Sequence, residues 1–289
     1  MQVGAFCSEQ WWSGWKSSRI QLRTCCVTHA AGTALSLRSF VLCSLGAMTT
    51  VLLIRHGRTS ANTAGVLVGR TSGIELDETG VQQVAELGNR LSGVPLQALV
   101  TSPLRRCRQT AHAVLSAQSD GCLLAVEQAL VECAYGDWTG RPLRELSKDK
   151  LWSAVQHQPS AVRFPGGESM AEMSARAIGA IRGWDARLEA EYGPQAVWAA
   201  ISHGDIVKAI LADALGMHLD SFQRIVVDPA SISIVHYTSA RPYLITANST
   251  TLDLGALLSP PRKKGRGRRS KPPEDAAVGG GLGASEVAE

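Results

Sequence analysis

The chain lacks the cysteine spacing that a disulfide framework or a zinc site requires. Its seven cysteines are scattered over 289 residues, and no two of them form a C-x-x-C pair. Disulfide-rich domains and zinc-binding modules instead place their cysteines at short, regular intervals. An odd number of scattered cysteines is typical of reduced thiols, so we expect a cytoplasmic protein without a structural metal.

A long apolar run is also missing. Residues 30–47 come nearest, but Arg38 interrupts them, and a membrane-spanning helix needs roughly 18–20 apolar residues. We therefore expect no membrane span. The same residues could serve as the apolar part of an export signal. We favour the alternative that residues 1–47 form a poorly structured extension and that a folded domain spans residues 48–258.

The middle of the chain has no excess of basic residues. The formal charge of +4 comes from the ends, because residues 1–47 carry four basic and one acidic residue and residues 260–289 carry seven basic and four acidic residues. Non-specific nucleic-acid binding depends on such basic groups. Only residues 259–289 could bind in that way. Their richness in proline, glycine and charge predicts a disordered tail, and we expect no specific nucleic-acid partner.

Between residues 48 and 258, short apolar segments alternate with amphipathic ones. Such alternation predicts an α/β fold, a three-layer α/β/α sandwich with a mostly parallel central sheet. The predicted strands are residues 50–55, 96–101, 123–130, 196–202, 224–227, 232–237 and 242–248. The predicted helices are residues 79–91 with Thr79 as a cap, a segment opened by Pro103, residues 143–157, residues 168–192 and residues 204–215.

Basic side chains follow three of the predicted strands. Arg55 and His56 end the first, Arg106 comes shortly after the second, and His203 follows the strand at 196–202. Ligands of open α/β sheets bind outside the carboxyl ends of the strands. Arginine offers paired donors that match phosphate oxygens, and a phosphate would offset the cost of burying these cations. Any one of these residues alone could be structural, but together they predict a phosphate pocket.

Five short motifs resemble, in the same order, those of the histidine phosphatase superfamily, also called the phosphoglycerate mutase-like family. The resemblance covers residues 49–250. The motifs are "LLIRHGRTSAN" at 52–62, "TSPLRRCRQTA" at 101–111, "VECAYGDWTG" at 131–140, "PGGES" at 165–169 and "SHG" at 202–204.

The resemblance implies two catalytic residues. His56 would be the nucleophile that attacks phosphorus and forms a phosphohistidine. Glu132 would protonate the leaving oxygen and then activate the water that releases the enzyme, a task that a raised pKa supports. The sequence contains no Asp/His cluster of the kind that binds a metal, so we expect no metal or other cofactor.

The resemblance also implies a set of phosphate ligands. Arg55, Arg106 and His203 would bind the transferred phosphoryl oxygens, and Asn62 would donate a further hydrogen bond. Arg105 is the second choice for the position of Arg106. Prepositioned donors of this kind are the main means of catalysing phosphoryl transfer.

A phosphatase and a mutase remain as alternatives within the family. The segment after Glu132 lacks the longer stretch found in cofactor-dependent mutases, and the span from Glu132 to Pro165 is short. We therefore favour a metal-independent phosphatase that acts on a small phosphorylated metabolite, with phosphoglycerate mutase as the alternative. A third possibility is a nucleic-acid-binding protein that acts through its basic tail. The oligomeric state stays open, and a homodimer is one option.

Overall fold

A computed structural model describes residues 49–118 and 121–250 of the chain. The extension predicted for residues 1–47 and the tail predicted for residues 259–289 lie outside the described residues. No helix within those described stretches is both long enough and apolar enough to pass through a membrane.

The described part is built on a six-stranded sheet with the strand order β3-β2-β4-β1-β5-β6. Strands β3, β2, β4 and β1 run parallel to one another, whereas β5 runs antiparallel to both β1 and β6. The prediction of a mostly parallel sheet is therefore confirmed. The strands are β1 (Thr49–Arg55), β2 (Ala98–Thr101), β3 (Leu123–Val126), β4 (Val197–Ser202), β5 (Ile232–Tyr237) and β6 (Pro242–Ser249).

Helices cover both faces of the sheet, because successive strand residues point to opposite sides. On one face, Leu52 and Ile54 pack with buried residues of the helices at 78–91 and 105–115, and on the other Val51 and Leu53 pack with those of the helices at 170–192 and 204–214. The three-layer sandwich is thus confirmed. The helices are α1 (Ser60–Thr63), α2 (Glu78–Leu91), α3 (Arg105–Leu115), α4 (Leu143–Leu146), α5 (Trp152–His157), α6 (Met170–Tyr192) and α7 (Gly204–Ala214).

Two predicted strands are wrong wholly or in part. Residues 224–227 form no strand, because a 3-10 helix, Leu219–Arg224, leads into a loop before β5. The strand predicted at 123–130 ends at Val126. There the carboxylate of Glu127 accepts a hydrogen bond from the amide of Ala129 at 2.9 Å and caps a 3-10 helix, Gln128–Leu130.

Three helix predictions also need correction. Residues 143–157 form two short helices instead of one, and the side chain of Asp149 accepts a hydrogen bond from the amide of Leu151 at the break. Helix α2 is capped by Asp77, whose carboxylate accepts the amide of Gly80 at 2.7 Å, and not by Thr79. The helix predicted to open at Pro103 is α3, which begins two residues later, at Arg105.

The strand register brings the predicted site together. Arg55 of β1 lies opposite Ser202 of β4, and Thr101 of β2 lies opposite Ile201. The three parallel strands therefore end at the same level, and the residues that follow them meet at one edge of the sheet.

Candidate active site

Five of the six predicted site residues are buried at this edge. Arg55 and His203 are fully buried, and His56, Arg106 and Glu132 are each less than 5% exposed. Burying so many ionisable groups is costly unless they are paired or neutralised. The contacts of these residues with one another decide whether that cost is offset.

His56 follows β1 and is held in one tautomer. Its Nδ1 lies 2.7 Å from the carbonyl oxygen of Gly57, which can only accept, so Nδ1 carries the hydrogen. Its Nε2 accepts a hydrogen bond from Nε of Arg106 at 3.2 Å. Burial, together with the positive charges of Arg106 and Arg55, lowers the pKa of His56 well below its usual value. The ring is therefore neutral, with the Nε2 lone pair directed into the site.

The loop that carries His56 packs tightly against α2. A Cβ at Gly57 would come within 2.7 Å of a methyl group of Val84 and within 2.8 Å of the carbonyl oxygen of Gly80. Only glycine allows this approach, which explains the glycine that follows the histidine.

Arg106 joins the two histidines from the first turn of α3. Its Nη2 donates to the carbonyl oxygen of Gly69 at 2.9 Å and lies 3.2 Å from Nδ1 of His203. The rings of His56 and His203 are 5.2 Å apart between their centroids. The buried Nη1 of Arg106 has no hydrogen-bond partner among residues 49–118 and 121–250, so it can donate to an oxygen of an anionic ligand.

His203 is held in the opposite tautomer to His56. Because Arg106 donates to Nδ1, the hydrogen of the neutral ring is on Nε2, which lies 2.8 Å from the hydroxyl oxygen of Ser102. Burial is the main cause that lowers the pKa of His203 well below its usual value, and Arg106 and His56 add to it. Its Nδ1 thus faces the same space as Nε2 of His56.

Arg55 and Glu132 complete the buried group. Nη1 of Arg55 donates to the carbonyl oxygen of Val227 at 2.7 Å. One carboxylate oxygen of Glu132 accepts the amide of Cys133 at 2.9 Å, and the other lies 4.0 Å from Nδ1 of His203.

The carboxyl group of Glu132 is a weaker acid than an ordinary glutamate. Burial, followed by the negative charge of Asp205, raises the pKa of Glu132 to about 7, against the opposing effects of the Cys133 amide and of Arg106 and Arg55. A carboxyl group with such a pKa can give and take a proton near neutral pH.

Asn62 stands apart from this group. It is half-buried, and its Oδ1 accepts hydrogen bonds from the amide and the hydroxyl of Thr59, which closes a capping box at the start of α1. Within the described residues, no hydrogen bond links Asn62 to the two histidines or the two arginines. Its role as a phosphate donor stays a prediction. Arg105 is exposed and pairs with Glu75 at 2.9 Å, outside the site.

The sequence reasoning missed several residues that surround Glu132. Arg70 and Arg176 both donate to its carbonyl oxygen, and Glu168 accepts from both of them. Asp205 lies close enough to influence its charge. Glu168 lies within the "PGGES" motif and Asp205 directly follows the "SHG" motif. This position within or next to a motif is the only feature of the sequence that points to either residue. Arg70 and Arg176 gave no signal, because their contacts cross 62 and 44 residues of chain.

No group of three or more histidine, cysteine, aspartate or glutamate side chains is arranged to hold a metal ion in the described stretches. The geometry is that of a buried, positively charged pocket that contains a neutral imidazole. A family model for the histidine phosphatase superfamily, branch 1, matches residues 51–250. The chain belongs to this superfamily.

Relatives of this superfamily member include proteins named as phosphatases and one named as a probable phosphoglycerate mutase. Phosphoserine phosphatase 1 of Hydrogenobacter thermophilus is 28% identical over 211 residues, which cover 70% of this chain and 93% of the relative. The protein of Erwinia tasmaniensis named probable phosphoglycerate mutase GpmB is 30% identical over 199 residues, 68% of this chain and 88% of the relative. The crystal structure of the α-ribazole phosphatase of Shigella flexneri matches with a TM-score of 0.59 and 28% identity, over 69% of this chain and 96% of that one. The family and the fold that the motifs predicted are confirmed.

Proposed function

We propose that this histidine phosphatase superfamily protein hydrolyses small phosphomonoesters without a metal ion, through a phosphohistidine on His56. The observation that carries the proposal is the neutral, buried His56, whose Nε2 lone pair lies beside the guanidinium group of Arg106. A nitrogen lone pair next to fixed positive charge can attack a phosphorus atom while that charge stabilises the phosphoryl oxygens.

In the first step, Nε2 of His56 attacks phosphorus and the bond from phosphorus to the ester oxygen breaks. Glu132 gives its proton to that oxygen, so that an alcohol leaves instead of an alkoxide. The products are a free alcohol, a phosphohistidine and an ionised Glu132.

In the second step, water releases the phosphoryl group. Ionised Glu132 takes a proton from a water molecule, whose oxygen attacks phosphorus while the bond to Nε2 of His56 breaks. Inorganic phosphate leaves, and Glu132 is protonated again. A pKa of about 7 suits both the donation and the uptake of a proton.

Arg55, Arg106, His203 and Asn62 would bind the phosphoryl oxygens in both steps. The unpartnered Nη1 of Arg106 supports this role. A bound phosphoryl dianion would favour protonation of His203 at Nδ1, which could then donate to one of its oxygens.

The mutase alternative uses the same first step but returns the phosphoryl group to a second hydroxyl. It is favoured by the relative named phosphoglycerate mutase. Residues 141–164 support the phosphatase instead, because they are short and fold into the core, where Leu146, Val155 and Phe164 are buried. We propose hydrolysis of a small phosphorylated metabolite as the main activity.

The experiment that tests this function assays the full chain with p-nitrophenyl phosphate in excess chelator. We expect unchanged hydrolysis with chelator, no hydrolysis by His56→Ala, and full activity of the control His112→Ala, which replaces an exposed histidine of α3. Chelator-sensitive turnover, or activity in His56→Ala, would disprove the mechanism. Efficient isomerisation of 3-phosphoglycerate in the presence of its bisphosphate would establish the mutase instead.

A further inference from the structure

Glu132 lies in a part of the chain that has no regular structure to hold it. It sits between two 3-10 helices, Gln128–Leu130 and Gly136–Trp138, and belongs to neither. A proton donor must nevertheless be held within hydrogen-bond reach of the leaving oxygen, and small displacements are costly for catalysis. Side-chain contacts must therefore fix the position of Glu132.

Two arginines from distant parts of the chain hold its main-chain carbonyl. Nε of Arg70, in the loop after α1, donates to this oxygen at 2.8 Å. Nη2 of Arg176, in the second turn of α6, donates to it at 3.2 Å. Hydrogen bonds from a charged donor are about twice as strong as neutral ones.

One carboxylate ties both arginines together. Oε1 of Glu168 accepts from Nη2 of Arg70 at 2.9 Å and from Nη2 of Arg176 at 2.7 Å. The same Oε1 accepts the amide of Ala134, two residues after Glu132, at 2.9 Å. We refer to Arg70, Glu168 and Arg176 as the Glu132 clamp.

The clamp is also fixed through the main chain. The amide of Glu168 donates to the carbonyl oxygen of Ala134 at 2.9 Å, and a Cβ at Gly167 would come within 2.1 Å of that oxygen. The segments around Glu132 and Glu168 are therefore packed backbone to backbone. This packing fixes the position from which Glu168 orients the arginines.

We propose that the Glu132 clamp positions the general acid and that Glu168 is its central residue. This inference rests on the proposed function, because it assumes that Glu132 protonates the leaving group. The clamp residues act through Glu132 and are positioning residues. They matter most when the leaving oxygen needs a proton to depart.

The dependence on leaving group separates positioning from mere structural support. p-Nitrophenolate departs readily without a proton, whereas the phenolate of phenyl phosphate is a weaker leaving group and gains more from protonation. The ratio kcat/KM reports only the steps up to formation of the phosphohistidine. A misplaced Glu132 should therefore lower kcat/KM for phenyl phosphate selectively.

The test compares kcat/KM for phenyl phosphate and p-nitrophenyl phosphate in Glu168→Gln, which keeps the shape of the side chain but removes its charge. We expect a loss of about tenfold for phenyl phosphate, a part of what a general acid contributes, and a loss below about threefold for p-nitrophenyl phosphate. Arg70→Gln, at a partly exposed side chain, should give the same selective pattern and serves if Glu168→Gln folds poorly.

The matched control is Arg182→Gln, which breaks another arginine–carboxylate pair of α6, with Asp213 at 2.7 Å on the surface. Arg182→Gln should leave kcat/KM unchanged for both substrates. Equal losses for both substrates, or no loss for either, in the clamp variants would overturn the proposal. Glu132→Gln serves as the reference, because if it does not discriminate between the substrates, then the acid role in the proposed function fails and not the clamp alone.

Discussion

At the scale of single residues, the proposed chemistry depends on the protonation states of two histidines and one glutamate. Each imidazole is fixed by a different partner, the Gly57 carbonyl for His56 and the Ser102 hydroxyl for His203. Both rings are kept neutral by burial, while the Glu132 carboxyl is kept from ionising easily. A neutral base and a protonated acid can therefore coexist near neutral pH.

The pH profile should report Glu132, and Asp205→Asn should move it. Because Glu132 must be protonated to act as acid, kcat/KM for phenyl phosphate should fall as the pH rises through about 7. The negative charge of Asp205 raises the pKa of Glu132, so its removal should lower that pKa and shift the alkaline limb to lower pH. His203, Arg55, Arg106 and the Cys133 amide also face this carboxyl and remain unchanged.

Wild type and variant are compared on the same substrate, because the phosphate group titrates in this range too. Asparagine can still accept the hydrogen bond that the Tyr135 hydroxyl donates to Asp205 at 2.7 Å. A limb that stays in place or moves to higher pH would contradict the assigned effect of Asp205.

At the scale of helices and strands, two glycines show how packing controls the site. Gly57 allows the loop of His56 to touch α2, whereas Gly179 lies exposed within α6 with no atom near its missing Cβ. The same substitution should therefore have opposite effects at the two positions.

Gly57→Ala should destabilise the protein by about 1–3 kcal/mol, because the added methyl group overpacks the contact with α2. It should also lower activity by displacing His56. Gly179→Ala should stabilise by about 0.5–1 kcal/mol, since alanine favours the helix, and should leave activity unchanged. Urea unfolding measures both changes in stability. If Gly57→Ala keeps the stability and the activity of the wild type, then this contact does not constrain the site.

Helices and strands were predicted well where the hydrophobic pattern and the turn residues agree. They were predicted poorly where a side-chain hydrogen bond ends an element. β5 was predicted with its observed bounds because apolar and β-branched residues run between clear turns. The strand at 123–130 was overextended because the cap formed by Glu127 cannot be read from hydrophobicity. The candidate site residues came from motifs, but the support of Glu132 by Arg70 and Arg176 depends on long-range packing that no local pattern reveals.

At the scale of the whole molecule, the sheet assembles one anion site from three distant strand ends. Arg55 and Arg106 are 51 positions apart in the sequence, and His203 lies 97 positions beyond Arg106. An anion that binds all three should stabilise the folded state, because the unfolded chain does not hold them together.

Inorganic phosphate should therefore raise the thermal unfolding midpoint. At a concentration about 100 times its Kd, the gain in unfolding free energy should be about 2.7 kcal/mol. Arg106→Ala should lose this gain, whereas Arg108→Ala, two residues away and exposed, should keep it. Equal stabilisation of both variants would mean that phosphate binds elsewhere.

The central claim is that the phosphoryl group passes through His56. The most direct measurement starts from the full chain, which reacts briefly with p-nitrophenyl phosphate, is quenched with alkali and is then digested. Mass spectrometry of the peptides locates the phosphoryl group. We predict one phosphoryl group on the peptide that contains His56, at higher occupancy in Glu132→Gln, where water attack is slowed, and none in His56→Ala. A phosphoryl group on another residue, or continued hydrolysis by His56→Ala, would contradict the account.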